Sequence, residues 1–162
     1  MNHIFSLETG RLHAQTLDML DKVKTVYGID IALFTPEPAA VENYVNNNGL
    51  NAFYDSVEMR KECCRIRKVE PLKRALQGKK AWITGQRKEQ SATRTELAEQ
   101  ETDTANGLEK FNPLTAWTQE DVWHYLHSNN VPYNALHDQG FPSIGCEPCT
   151  RAVNEGEDIR AG

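Results

Sequence analysis

The residues best suited to chemistry are the four cysteines, which fall in two pairs: Cys63 and Cys64 side by side in ECCRIRKVEPLK, and Cys146 and Cys149 in GCEPC. A CxxC in a turn carrying Gly and Pro points two thiolates and nearby backbone N–H groups at one centre, which is a ligand arrangement. A redox dithiol would instead open a helix that follows a strand, and no strand is evident before Cys146. Adjacent cysteines pose a different problem. Neighbouring side chains diverge, so gripping one small tetrahedral ion with both is strained, whereas a cube of iron and sulfur offers separate irons to separate thiolates. Four thiolates match one [4Fe-4S] cluster, and a four-cysteine zinc ion is the alternative. The charges on both sides of Cys63–Cys64 argue against a buried apolar pair.

The second chemical signal is charge. The chain carries a net charge of -5, yet residues 60 to 94 hold twelve Lys/Arg against three Glu, a local +9 that leaves -14 elsewhere. One part of such a run is a solvated face; the other reading is an anion site, since sulfate and phosphate groups need several convergent cationic donors. Nucleic-acid binding fits poorly, because the basic run has little aromatic interleaving and the whole chain is acidic.

These groups need a scaffold, and 162 residues allow one domain with a real core. No apolar run is long enough to span a membrane. The N-terminus lacks the basic start and cleavage site of a secretory signal, so a cytoplasmic, thiol-preserving setting is expected. IFSL (4–7) reads as a strand, and LHAQTLDMLDKVKTVYG as a helix with Leu17, Leu20, Val23 and Val26/Tyr27 on one face, stopped by Gly28. DIALF reads as a second strand, PEPAAVENYVNNNG and VEPLKRALQ as helices, and AWIT (81–84) as a third strand. This alternation predicts an α/β fold with a parallel sheet. Residues 85–107 read as a long polar loop. TQEDVWHYLHS reads as a capped helix with Val122, Trp123, Tyr125 and Leu126 inward, and His124 and His127 on its surface; neither they nor His137 are given a catalytic role. The tail from Val131 should be irregular.

The ECC and RKVEPL motifs, GCEPCTRAV, FSLETGR and WITGQRKEQSATR together resemble the cluster-containing adenylyl-sulfate (APS) reductases, within the wider phosphoadenylyl-sulfate (PAPS) reductase family. The resemblance spans essentially the whole chain and implies an adenine-nucleotide α-hydrolase-like (PAPS reductase-like) layer, incomplete at both ends. It implies reduction of adenylyl sulfate to sulfite and AMP, with thioredoxin or glutaredoxin as reductant, in sulfate assimilation and cysteine biosynthesis. Carried over by position, Cys63, Cys64, Cys146 and Cys149 would hold the [4Fe-4S] cluster. Lys68, Arg94 and Arg160 would bind the phosphosulfate, Gly85 would lie close to the adenine, and Thr9 would stand next to the cluster, with Glu8 in place of the more usual aspartate.

The family pattern also includes an earlier Gly-rich SGxxD-type loop and a later ECGxH tail carrying the nucleophilic cysteine, which would lie beyond Gly162. The expectation is therefore a single PAPS/APS reductase domain lacking both ends, with no catalytic thiol of its own and no turnover by itself. A PAPS-reducing relative with the same cluster and a zinc-stabilised nucleic-acid-binding module are the alternatives. A homo-oligomer is allowed by the sequence but not required.

Overall fold

A computed structural model describes residues 4–90, 96–158 and 161–162. They form two compact units, one built from residues up to Ala75 together with those from Pro132 onward, the other from Leu76–Val131.

The first unit opens with a parallel strand–helix–strand. Strand β1 (Phe5–Leu7) pairs with β2 (Ala32–Phe34), Phe5 opposite Ala32 and Leu7 opposite Phe34. Helix α1 (Ala14–Tyr27) makes the crossover that parallel pairing demands. It ends on Gly28 in the left-handed conformation, whose N–H reaches the Lys24 carbonyl. Leu20 and Val23 are half-buried as the periodicity predicts, but Leu17, Val26 and Tyr27 are exposed, so the apolar face is narrower than the spacing suggests. Helix α2 (Pro38–Asn48) starts on a proline, which costs the first turn no hydrogen bond. A short 3-10 turn at Ala52–Tyr54 leads into α3 (Val57–Cys64), whose cap Ser56 accepts the Met59 N–H at 3.1 Å.

The core of this unit is Tyr44, Ala52, Phe53, Cys63 and Ile66, with Val41, Val45 and Met59 packed against it. Cys63 and Ile66 lie one turn apart and face it together. After Cys64 the helix widens into a π-turn over Arg65–Val69, closed by the Glu70 N–H on the Arg65 carbonyl, and then continues as α4 (Glu70–Leu76). Such single wide turns recur at functional sites. The tail is largely irregular as expected, apart from 3-10 turns at Ala135–Gln139 and Glu147–Cys149.

The second unit corrects the reading of residues 85–107 as loop throughout. Strand β3 (Ala81–Ile83) pairs in parallel with β5 (Leu108–Phe111), and β4 (Gln100–Asp103) adds antiparallel to β5. β4 has no apolar residue, so periodicity could not reveal it. Polar cross-strand pairs hold it instead: Glu101 sits opposite Lys110 with an ion pair at 2.8 Å, and Gln100 and Thr102 both donate to Glu109 at 3.1 Å. Its turn closes on Gly107, at φ 69°, through an N–H bond to the Asp103 carbonyl of 2.7 Å. Helix α5 (Gln119–Ser128) carries the capping box of Thr118 and Asp121. Val122, Trp123 and Leu126 are half-buried, but Tyr125 is exposed and lays its ring against Trp117 at 5.5 Å rather than facing inward.

Candidate functional site

The four cysteines line one shallow, open cleft in the first unit. The last turn of α3 brings Cys63 and Cys64, and the Glu147–Cys149 turn with its preceding residue brings Cys146 and Cys149. Cys63 and Cys146 are buried, Cys64 half-buried and Cys149 exposed, and all four are free thiols. Among the described residues no three His, Cys, Asp or Glu side chains gather closely enough to hold a single metal ion. The thiols share a cleft without meeting at one point.

Four cations line the same cleft: Arg60, Arg67 and Lys68 from the basic run, and Arg11 from the segment after β1. Arg65 and Arg74 are engaged elsewhere: Arg65 grips Glu62 through two bonds of 2.7 Å, and Arg74 grips Glu70. Arg87, in the second unit, bonds Gln119, Glu89 and the Trp117 carbonyl. Only part of the basic run therefore faces the cysteines, and the i, i+4 relation of Cys63 to Arg67 and of Cys64 to Lys68 selects it.

Burial pushes the Cys63 thiol up, with Arg67 opposing that rise. Burial also raises Cys149, reinforced by Cys146 and opposed by Lys68. A cleft that raises thiol pKa values by desolvation while surrounding them with cations is built for thiolates once an electrophilic or metallic partner compensates them.

The CEPC turn is held by backbone bonds from several directions. Glu147 N–H donates to the Arg11 carbonyl at 2.8 Å, beside a β-bridge between Leu12 and Cys146. The Tyr54 hydroxyl donates to the Pro148 carbonyl at 2.6 Å. Thr9, 2 % exposed, places its hydroxyl 3.2 Å from the Cys146 sulfur. His13 is also buried, with Nε2 3.0 Å from the Thr150 hydroxyl, which in turn donates to the Cys146 carbonyl at 3.0 Å. Because the Thr150 proton is committed to that carbonyl, His13 Nε2–H is the donor to Thr150.

Of the residues singled out in the sequence, Cys63, Cys64, Cys146, Cys149, Lys68 and Thr9 are gathered here. Glu8 in its turn accepts the Gly10 N–H at 2.7 Å, a contact an acidic side chain of either length can make. Gly85 follows β3 in the second unit, exposed and with open space where a Cβ would stand. Arg94 and Arg160 lie outside the described residues. His124 and His127 are exposed on α5, and His137 bonds the Phe141 carbonyl through Nδ1 at 2.7 Å. Sequence reasoning missed Arg11, Tyr54, Arg67 and His13; of these only Arg67 had a signal, its helical offset from Cys63.

The model of the phosphoadenosine phosphosulfate reductase domain matches residues 1–152. The chain belongs to that family. Among relatives of this reductase family, the chain is 62% identical over 159 residues to a protein of Burkholderia cepacia named adenosine 5'-phosphosulfate reductase, covering 98% of this chain and 64% of that one. It is 56% identical to a protein of the same name from Allochromatium vinosum, covering 98% and 62%. The chain thus spans a little under two thirds of the length of these curated relatives. A crystal structure of the phosphoadenylyl-sulfate reductase of Candida auris, a phosphate complex, superimposes with a TM-score of 0.76 at 30% identity, over 91% of this chain and 70% of that one. The reductase fold, an α/β layer with parallel strand pairing, is the one found here. Among the described residues no helix is long and apolar enough to cross a membrane.

Proposed function

We propose that this chain is the cofactor-bearing part of an oxidoreductase that cleaves adenylyl sulfate to sulfite and AMP with electrons from thioredoxin or glutaredoxin, in cytoplasmic sulfate assimilation. The observation that carries this reading is the cleft where four thiols meet four cations. The names of the bacterial relatives favour adenylyl sulfate over its 3'-phosphorylated form.

Cys63, Cys64, Cys146 and Cys149 fit a [4Fe-4S] group by number and chemistry: four free thiols line one cleft, and the adjacent pair can take separate irons of a cluster more easily than one small ion. When bound, such a group supplies a redox-capable iron–sulfur core beside the anion-binding cations. The chain's own residues do the rest. Thr9 donates toward or accepts from the Cys146 sulfur and fixes its direction. Lys68 lies on the cleft wall within electrostatic reach of Cys149, where its ammonium neutralises an approaching sulfate. Neutralisation is the main physical demand, since a thiolate cannot approach an uncompensated anion. Arg94 and Arg160 are proposed to bind the phosphosulfate, and the backbone at Gly85 to lie close to the adenine.

The test is anaerobic reconstitution followed by metal analysis and calorimetric binding. A brown protein with about four irons and four sulfides per chain is expected, binding adenylyl sulfate more tightly than its 3'-phosphorylated form. Lys68→Ala should weaken that binding about tenfold or more. A colourless protein with one zinc sinks the cluster reading, and tighter binding of the 3'-phosphorylated nucleotide sinks the substrate assignment.

A further inference from the structure

The turn after β3, residues 84–87, commits its side chains to the second unit and leaves one stretch of backbone bare. Thr84 donates its hydroxyl to the Asn112 amide oxygen, and its N–H bonds the Phe111 carbonyl at 2.8 Å. The buried Arg87 turns its guanidinium to Gln119, Glu89 and the Trp117 carbonyl. Between them Gly85 is exposed, and among the described residues no atom lies within 4 Å of where its Cβ would stand. It does not adopt the left-handed conformation that favours glycine, so neither backbone strain nor packing explains the missing side chain. Gln86, beside it, is held by Lys110 from the central strand of the sheet. Lys110 lies opposite Trp82 on β3 and Glu101 on β4. Its side chain is 13% exposed, and Nζ donates to Gln86 Oε1 at 2.7 Å, pairs with Glu101 Oε1 at 2.8 Å and stands 5.8 Å from the centre of the Trp82 ring. Lys110, and after it Asn112, hold the Glu101 carboxyl below its ordinary range, so the pair stays charged. Contacts from three directions immobilise an ammonium whose flexible stem would otherwise leave it loose, and its bond to Gln86 is of the stronger, charge-assisted kind.

We infer that Lys110 is a positioning residue for nucleotide binding: through Gln86 it ties the bare backbone at Gly85 to the sheet, so that a purine base meets backbone N–H and C=O groups already held in place. Ordering the turn before the ligand arrives removes an entropic cost from binding. The polar hairpin of β4 and β5 then has a use beyond its own stability, because the Glu101 partner that pairs its strands also aims Lys110 at the turn. The inference rests on the proposed placement of the adenine at Gly85.

The experiment uses Gln86→Leu, which removes the acceptor and leaves the Lys110–Glu101 pair in place, in the whole chain after anaerobic reconstitution. Amide hydrogen exchange at Gln86 and Arg87 should quicken about tenfold, the scale of a lost charge-assisted bond. Adenylyl sulfate binding, followed by calorimetry, should weaken about threefold to tenfold as the binding-competent turn becomes a fraction of the population. The urea midpoint should stay at the wild-type value. Gln86→Glu, which keeps an acceptor of the same reach, should bring exchange and binding back to within about threefold of wild type. Lys110→Met should loosen the same two amides, and adding Q86L to it should loosen them no further, because both act through one bond. Exchange at the wild-type rate in Q86L, or further loosening in the double variant, overturns the anchoring role while the placement of the adenine at Gly85 stands. Faster exchange with unchanged binding overturns that placement and the positioning role with it. A Q86L chain with a lowered urea midpoint that Q86E does not restore makes Gln86 a structural residue and overturns the inference. A wild-type chain that does not bind adenylyl sulfate overturns both.

Discussion

At the residue scale the candidate site is held by bonds around its thiols, most clearly at Cys146. Cys146 is held at both ends, its sulfur by Thr9 and its carbonyl by Thr150, and Thr150 is held by His13. This relay predicts that His13→Phe, which keeps the ring against Phe141 but removes the donor, leaves the fold intact and frees the CEPC turn. With the thiols holding the proposed cluster, one lost hydrogen bond of about 1 kcal/mol corresponds to about fivefold faster iron release to a chelator. His13→Gln, which restores a donor, should recover most of it, and an H13F rate equal to wild type would remove His13 from the site. The cysteines were legible in the sequence because paired thiols are a rare pattern, and Lys68 through the resemblance of the step after the double cysteine to the family motif. His13 was not, since a lone histidine after GRL has no spacing to betray it; only the chain's return through Thr150, 137 positions later, gives it a partner.

At the element scale, legibility follows apolarity. β1, α1, β2 and α2 announce themselves through apolar runs and terminating glycine or asparagine, and their order alone implies parallel pairing. The β4–β5 hairpin is held by charge and amide chemistry, which leaves no periodic trace, and α3 is hidden by the charges that flank its cysteines. The second unit's sheet depends on Asn112, fully buried, whose amide donates to the Ala98 carbonyl and Glu101 and accepts from the Thr84 hydroxyl. Asn112→Ala removes three bonds of a buried amide, leaving Glu101 only its Lys110 pair and Thr84 only the Gln86 N–H, and should cost about 3 kcal/mol in urea unfolding. The capping box of α5 is a milder case: Thr118→Ala removes the bond to the Asp121 N–H, 3.0 Å, and should cost about 1 kcal/mol. If both substitutions cost the same, the buried amide is not the hairpin's anchor.

At the scale of the whole molecule, several of the carboxylates behind the -5 net charge are tied down by the fold. Glu62 is held below its ordinary range by Arg65, Glu101 by Lys110, Asp30 by Lys24 and Asp121 by the N–H of Thr118. Glu157 is the most displaced, lowered from 4.5 to about 2, first by the two bonds from Arg151 and then by the Asn154 N–H. A carboxylate whose folded value is depressed contributes stability that is fully present above its unfolded value and disappears as pH falls through the folded one. For Glu157 that window runs from 4.5 down to about 2. Glu157→Gln should therefore be less stable than wild type at pH 6 and indistinguishable from it near pH 2, with the gap closing between those limits in thermal melts. Salt should shrink the gap at pH 6, since the pair is partly exposed and screened. A gap that persists unchanged to pH 2 would mean that Glu157 acts through shape and not charge. The fold would then lose at that turn the electrostatic tie that fastens the segment following Cys149.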